Sequence, residues 1–97
     1  MIVVWLPSAN RDRFEQLDYI ARDSPQAAAN QDEEIERQVD MLVQYPKMGR
    51  PGRVKGTREL VVRGTPFIIV YRLKGAQRVE ILRLKHGSQQ WPPVRSR

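Results

Sequence analysis

RPGRVKGTRELVVRGTPFIIVYRLKGAQRVEILRLKHGSQQW, residues 50–91, holds three apolar runs separated by two short breaks. Val61 and Val62, then Phe67 to Tyr71, then Val79 to Leu84 are rich in β-branched, aromatic and leucine side chains, which suit a pleated, half-buried surface. Gly64-Thr65-Pro66 and Lys74-Gly75-Ala76 punctuate them, so the stretch predicts a three-stranded antiparallel meander. The rest of the chain has to pack against that sheet.

Upstream, Ile2 to Leu6 (IVVWL) is too short for a helix and is closed by Pro7, which predicts a strand buried on both faces and paired into the same sheet. Ser8 is placed to cap a helix running to about Arg22, with Phe14, Leu17 and Ala21 facing the sheet and Ile20 widening the stripe. Asp23-Ser24-Pro25 then ends one helix and starts the next, with Ser24 as N-cap and Pro25 at the first helical position. This second helix should run to about Gln44, with Ala28, Ile35, Val39 and Leu42 inward and Gln31, Asp32, Glu34 and Gln38 mostly outward, before Tyr45-Pro46 ends it. Lys47 to Gly56, with three glycines and a proline, reads as a loop, and Pro92 to Arg97 as a frayed basic tail. The order β-α-α-β-β-β gives one α+β domain over residues 1–97, with a helical hairpin on one face of a small sheet and the other face partly open.

Composition narrows the function classes. The absence of cysteine removes a disulfide framework and thiolate metal sites, one histidine makes a metal centre improbable, and no motif calls for a cofactor. No apolar run approaches the roughly 18 residues of a membrane span, and the start lacks a secretory pattern, so the expectation is a soluble cytoplasmic protein away from membranes. The net charge of +6 is unevenly spread. Residues 1–48 carry five Lys/Arg and nine Asp/Glu, for −4, whereas residues 49–97 carry twelve and two, for +10. Such a field draws a polyanion or an acidic peptide and speeds its association.

His86, at the end of the last strand beside Lys85, is the one side chain suited by its ordinary pKa to act as general acid or base near neutrality. Arg83 and Lys85 on that strand, with Arg50, Arg53, Lys55 and Arg58 in and after the loop, are suited to phosphates or to acidic side chains of a partner. Gln90 and Trp91 lie beside them; Trp91 suits stacking on a base or capping the sheet. Simple alternation along the last strand puts Val79, Ile81, Arg83 and Lys85 on one side, with Glu80, Leu82, Leu84 and His86 on the other. Glu59 and Glu80 have no reason to meet as a catalytic pair, Ser88 is poorly spaced from His86 for a nucleophile, and no phosphate-loop glycine pattern occurs.

IVVWLPSA leading into a helical hairpin, QYPKMGRPGR at the helix end, GTRELVV, IIVYR and VEILRLKHGSQQW together resemble the RelE/ParE superfamily of bacterial toxins from type II toxin-antitoxin modules. The resemblance covers nearly the whole chain. It implies a small basic toxin of a plasmid-stabilisation or addiction module, neutralised in the cytoplasm by a cognate antitoxin in a hetero-oligomer. The superfamily divides into poisons of DNA gyrase, similar to ParE, and ribosome-dependent messenger RNA endonucleases, similar to RelE. The ribonuclease branch typically places an arginine three residues before the tyrosine equivalent to Tyr71, and Ile68 stands there. The resemblance thus implies a ParE-like gyrase poison; a RelE-like endonuclease acting on ribosome-bound messenger RNA is the alternative, and a non-toxic binding module the third reading.

Overall fold

Residues 1–87, 91 and 92 are described by a computed structural model. Their elements follow as β1 (Ile2–Trp5), α1 (Pro7–Asp23), α2 (Pro25–Met41), β2 (Arg50–Pro51), β3 (Arg58–Val61), β4 (Phe67–Lys74) and β5 (Arg78–His86). The expected meander is present as β3, β4 and β5, each antiparallel to the next, with Gly64 and Gly75 supplying the positive φ that the two turns need. The five strands lie in the order β1-β5-β4-β3-β2. Part of the expected loop is therefore a strand, since β2 pairs with the start of β3. Beyond Pro92, the expected tail lies outside the described residues.

The helical hairpin carries the chain from β1 across the sheet, so β1 is parallel to β5 and sits at an edge. The sequence expectation of a strand buried on both faces fails here. Helices cover only one face, so Val3 and Trp5 pack on the core while Ile2 is 61% exposed. The core joins Ala9 of α1, Ile35 and Val39 of α2 and the following Leu42 to Leu60, Val62, Phe67, Ile69, Tyr71, Val79, Ile81 and Leu84.

Four helix details depart from the pattern. Pro7, not Ser8, opens α1, and the Ser8 hydroxyl donates to the Leu82 carbonyl (2.9 Å) instead of capping. Phe14 is 72% exposed, because at about 100° per residue it stands about 140° round the helix from Ala9, whereas Ile20 is only about 20° away. Gln38 is 4% exposed, facing inward with Ile35 and Val39, and its amide donates to Glu34 at 2.9 Å. Ser24 does cap α2, accepting the Ala27 N–H at 3.1 Å, but the helix ends at Met41, short of Gln44.

β5 contains a β-bulge. Tyr71 pairs with Ile81 but Val70 pairs with Arg83, so Leu82 is an extra residue with no partner across β4. The extra residue reverses the alternation. Val79, Ile81, Leu84 and His86 share the helix-covered side, and Glu80, Arg83 and Lys85 share the open one, which corrects the simple two-by-two reading of this strand.

Candidate target-binding site on the open sheet face

The cross-strand register assigns the open face. Ile68, Val70, Arg72 and Lys74 of β4 stand beside Lys85, Arg83, Glu80 and Arg78 of β5, and on the other flank Glu59 of β3 is paired with Val70 and with Arg50. Cations outnumber carboxylates on this face, and both glutamates are already engaged. Glu80 meets Arg72 at 2.7 Å and Arg78 at 3.1 Å. Glu59, 3% exposed, accepts from the Arg50 guanidinium at 3.1 Å and from the Arg53 backbone N–H at 2.9 Å. Burial raises the Glu59 pKa, but the Arg53 N–H and Arg50 outweigh it and hold the carboxyl below its ordinary value.

The candidate residues do not form one cluster. Arg53 and Lys85 approach each other around a hollow lined also by Glu59, Ile68, Val70, His86, Gly87 and Trp91. Trp91 is the centre of that arrangement: its carbonyl accepts from Arg53 Nη1 at 3.0 Å, and Lys85 Nζ and Arg83 Cζ lie 5.5 and 5.7 Å from its ring centroid. Burial lowers the Lys85 pKa, and the neighbouring Arg83 charge lowers it further. The space left inside the hollow is about 10 Å³, at the lower limit for a single water.

Arg83 is turned to α1. Its guanidinium binds Asp12 through two hydrogen bonds, 2.7 and 3.0 Å, which raises its pKa. Arg58 lies on the helix side and donates to the Gly49 and Lys47 carbonyls at 2.7 and 3.2 Å, so it is a strut of the loop, not a member of the open face. Lys55 is exposed in the turn before β3. His86 meets Phe67 edge-on, ring centroids 6.2 Å apart, on the side opposite Lys85. Gln90, expected at the site, lies outside the described residues, as does Ser88.

Sequence reasoning missed three residues that shape this region. Asp12 pins Arg83; Tyr71 anchors the loop by donating to the Pro46 carbonyl (2.8 Å) and accepting the Gly49 N–H (2.9 Å); Glu59 is a buried ionic hub. It also missed a groove of about 550 Å³ between α2 and β3, lined by Met41, Met48 and Val61 with Arg37, Arg50 and Arg63, next to an apolar hollow at Tyr45 and Pro46. The run of exposed apolar residues at 41, 43, 45 and 48 was its only trace in the sequence.

Comparison with known proteins settles the class. Residues 3–91 match the family model described as the ParE toxin of the type II toxin-antitoxin system, parDE. The chain belongs to the ParE toxin family. A curated relative, "Putative toxin Y4kP" of Sinorhizobium fredii, is 48% identical over 90 residues, covering 93% of this chain and 92% of that protein. The solved structure titled "Chromosomal ParDE TA system from P. aeruginosa" superposes with a TM-score of 0.77 at 31% identity, over 89% of this chain and 95% of the other. The α+β fold is the ParE toxin fold, and the chain is a ParE-type toxin of a toxin-antitoxin module, whose partner is an antitoxin. Among the described residues, no group of side chains suits a metal ion, and no helix of this ParE-type toxin is long and apolar enough to cross a membrane.

Proposed function

We propose that this ParE-type toxin acts on DNA gyrase by binding and not by cleaving RNA, and that its antitoxin holds it in check in the cytoplasm by pairing with the basic half of the chain. The observation that carries the choice of target is the filled hollow at Ile68. Where the ribonuclease branch has a phosphate-binding arginine, an isoleucine lies against Val70, Lys85 and Trp91, with room for about one water. A scissile phosphate needs far more space and a cation free to follow the developing charge. Arg83, the cation paired with Val70 across the sheet, is held by Asp12, and the T-shaped contact with Phe67 sets the His86 ring against the core side of the sheet.

Purified toxin should inhibit gyrase supercoiling and leave messenger RNA on translating ribosomes uncut. In cells, wild type and His86→Ala should arrest growth similarly, while Lys85→Glu should relieve the arrest; Lys85 is a better position for charge reversal than Arg83, whose loss also breaks the Asp12 pair. Codon-dependent cuts that appear with wild type and fall about 10²- to 10⁴-fold with His86→Ala would overturn this reading in favour of the endonuclease.

A further inference from the structure

Val70 is fully buried although it lies on the sheet face that no helix covers. The hollow over it is walled by the chain itself, with Trp91, six residues beyond Lys85, lining it together with Arg53 and Lys85. This wall is held by charge at its rim, through the Arg53 hydrogen bond to the Trp91 carbonyl and the two cations near the Trp91 ring. It is imperfect at its centre. The Trp91 indole nitrogen is buried with no hydrogen-bond partner among the described residues, although a buried tryptophan N–H ordinarily finds an acceptor.

We propose that Trp91 is a displaceable cover over an acidic-peptide docking surface, and that the surface beneath it consists of Ile68 and Val70 flanked by Arg53 and Lys85. The partner chemistry follows from what the covered surface offers. Two apolar side chains in mid-sheet suit an apolar anchor, and the cations beside them suit carboxylates on either side of that anchor. Glu59 does not cancel this charge, because Arg50 already shares it with Arg53. An extended peptide with an apolar residue at one position and acidic residues two positions to either side presents all three on one face, whereas a nucleic-acid backbone leaves Ile68 and Val70 without a counterpart. Displacement is favoured because the outgoing indole N–H exchanges a buried site without an acceptor for water. The proposal rests on the reading that an acidic partner engages the basic half of this toxin, and it adds where that engagement happens and what must move first.

The experiment uses the full chain in a Trp5→Phe background, which leaves Trp91 as the only tryptophan. The probe is a synthetic peptide with glutamates two positions either side of each leucine, so that both share one face when extended, with a DNA duplex as the second arm. Peptide binding should make Trp91 emission shift to the red and become accessible to acrylamide. Trp91→Ala, which removes the cover, should tighten peptide binding by about tenfold. Trp91→Phe keeps the apolar body and removes the orphaned N–H, so the cover should hold better and the peptide should bind several-fold more weakly; this opposite shift keeps the test decisive even if Trp91→Ala folds poorly. Lys85→Glu should weaken binding in every background. If both Trp91 variants bind more weakly, Trp91 is an anchor for the partner and the proposal fails; it fails equally if neither variant changes binding, or if the duplex alone displaces Trp91. None of these readings depends on gyrase, so loss of supercoiling inhibition with intact peptide displacement would overturn the proposed target and leave the cover standing.

Discussion

Glu59 stays charged on a nearly buried site because the chain just before β3 delivers a backbone N–H and a guanidinium to it. Its folded-state pKa lies below the unfolded one, so its ion cluster adds stability above the unfolded carboxylate range and loses it as pH falls through the folded value. Glu59→Gln should lower stability near neutrality by about 1 to 3 kcal/mol, towards the smaller figure because both arginines are half exposed to solvent. The same variant should flatten the decline in stability between about pH 5 and pH 3, measured by urea unfolding across that range. Tyr71 performs the neutral version of this task. Burial raises its pKa, so its hydroxyl stays protonated and donates to Pro46 while accepting from Gly49. Tyr71→Phe leaves both loop groups without that partner and should cost about 1 to 3 kcal/mol, with amide exchange accelerating first at Gly49.

β5 outruns its neighbour β1, and α1 takes over the exposed strand edge. β1 ends opposite Ile81; beyond it, the Ile81 carbonyl accepts from the Leu6 N–H, the Leu82 carbonyl from Ser8, and the Leu84 N–H donates to Asp12 at 3.0 Å. Ser8 and Asp12 are one helical turn apart, so a single face of α1 satisfies the edge that would otherwise invite another strand. Asp12→Ala removes the acceptor of both Arg83 and the Leu84 N–H and should destabilise the fold by about 2 kcal/mol. Arg83→Ala alone should cost less, and the double variant should cost less than the sum, a coupling readable in a double-mutant cycle. These side-chain contacts explain what the sequence could and could not reveal. The meander was legible because Gly64-Thr65-Pro66 and Lys74-Gly75-Ala76 bound its apolar runs, and Ser24-Pro25 marked the hairpin for equally local reasons. The bulge at Leu82 was not, since one extra residue breaks the alternation only as an adjacent Ile81 and Leu82, a pattern that a buried strand shows without any bulge. The site depended on that one residue. With the alternation misread, Arg83 and Lys85 fell on the side with Val79, and Asp12, 71 positions before Arg83, gave no sign that it would claim that arginine.

Across the whole molecule, the fold converts a charge difference along the chain into one between layers. The −4 half forms the helices, which expose Glu15, Asp18, Glu33, Glu36 and Asp40 to solvent, while the +10 half forms the meander and presents Arg50, Arg53, Arg72, Lys74, Arg78 and Lys85 on the face opposite. A partner with acidic segments therefore approaches a molecule with one attractive face and one repulsive one, which orients the encounter before contact. The effect acts over about 10 Å at 0.1 M salt and about 3 Å at 1 M, so added salt should slow association with the antitoxin by at least tenfold across that range. Dissociation should change much less, because apolar contacts with the antitoxin bury nonpolar surface whose stabilisation does not depend on screening. Stopped-flow association and chase-dissociation rates measured as a function of salt separate the two contributions. An association rate that is flat with salt would mean that the layered charge plays no part in antitoxin capture.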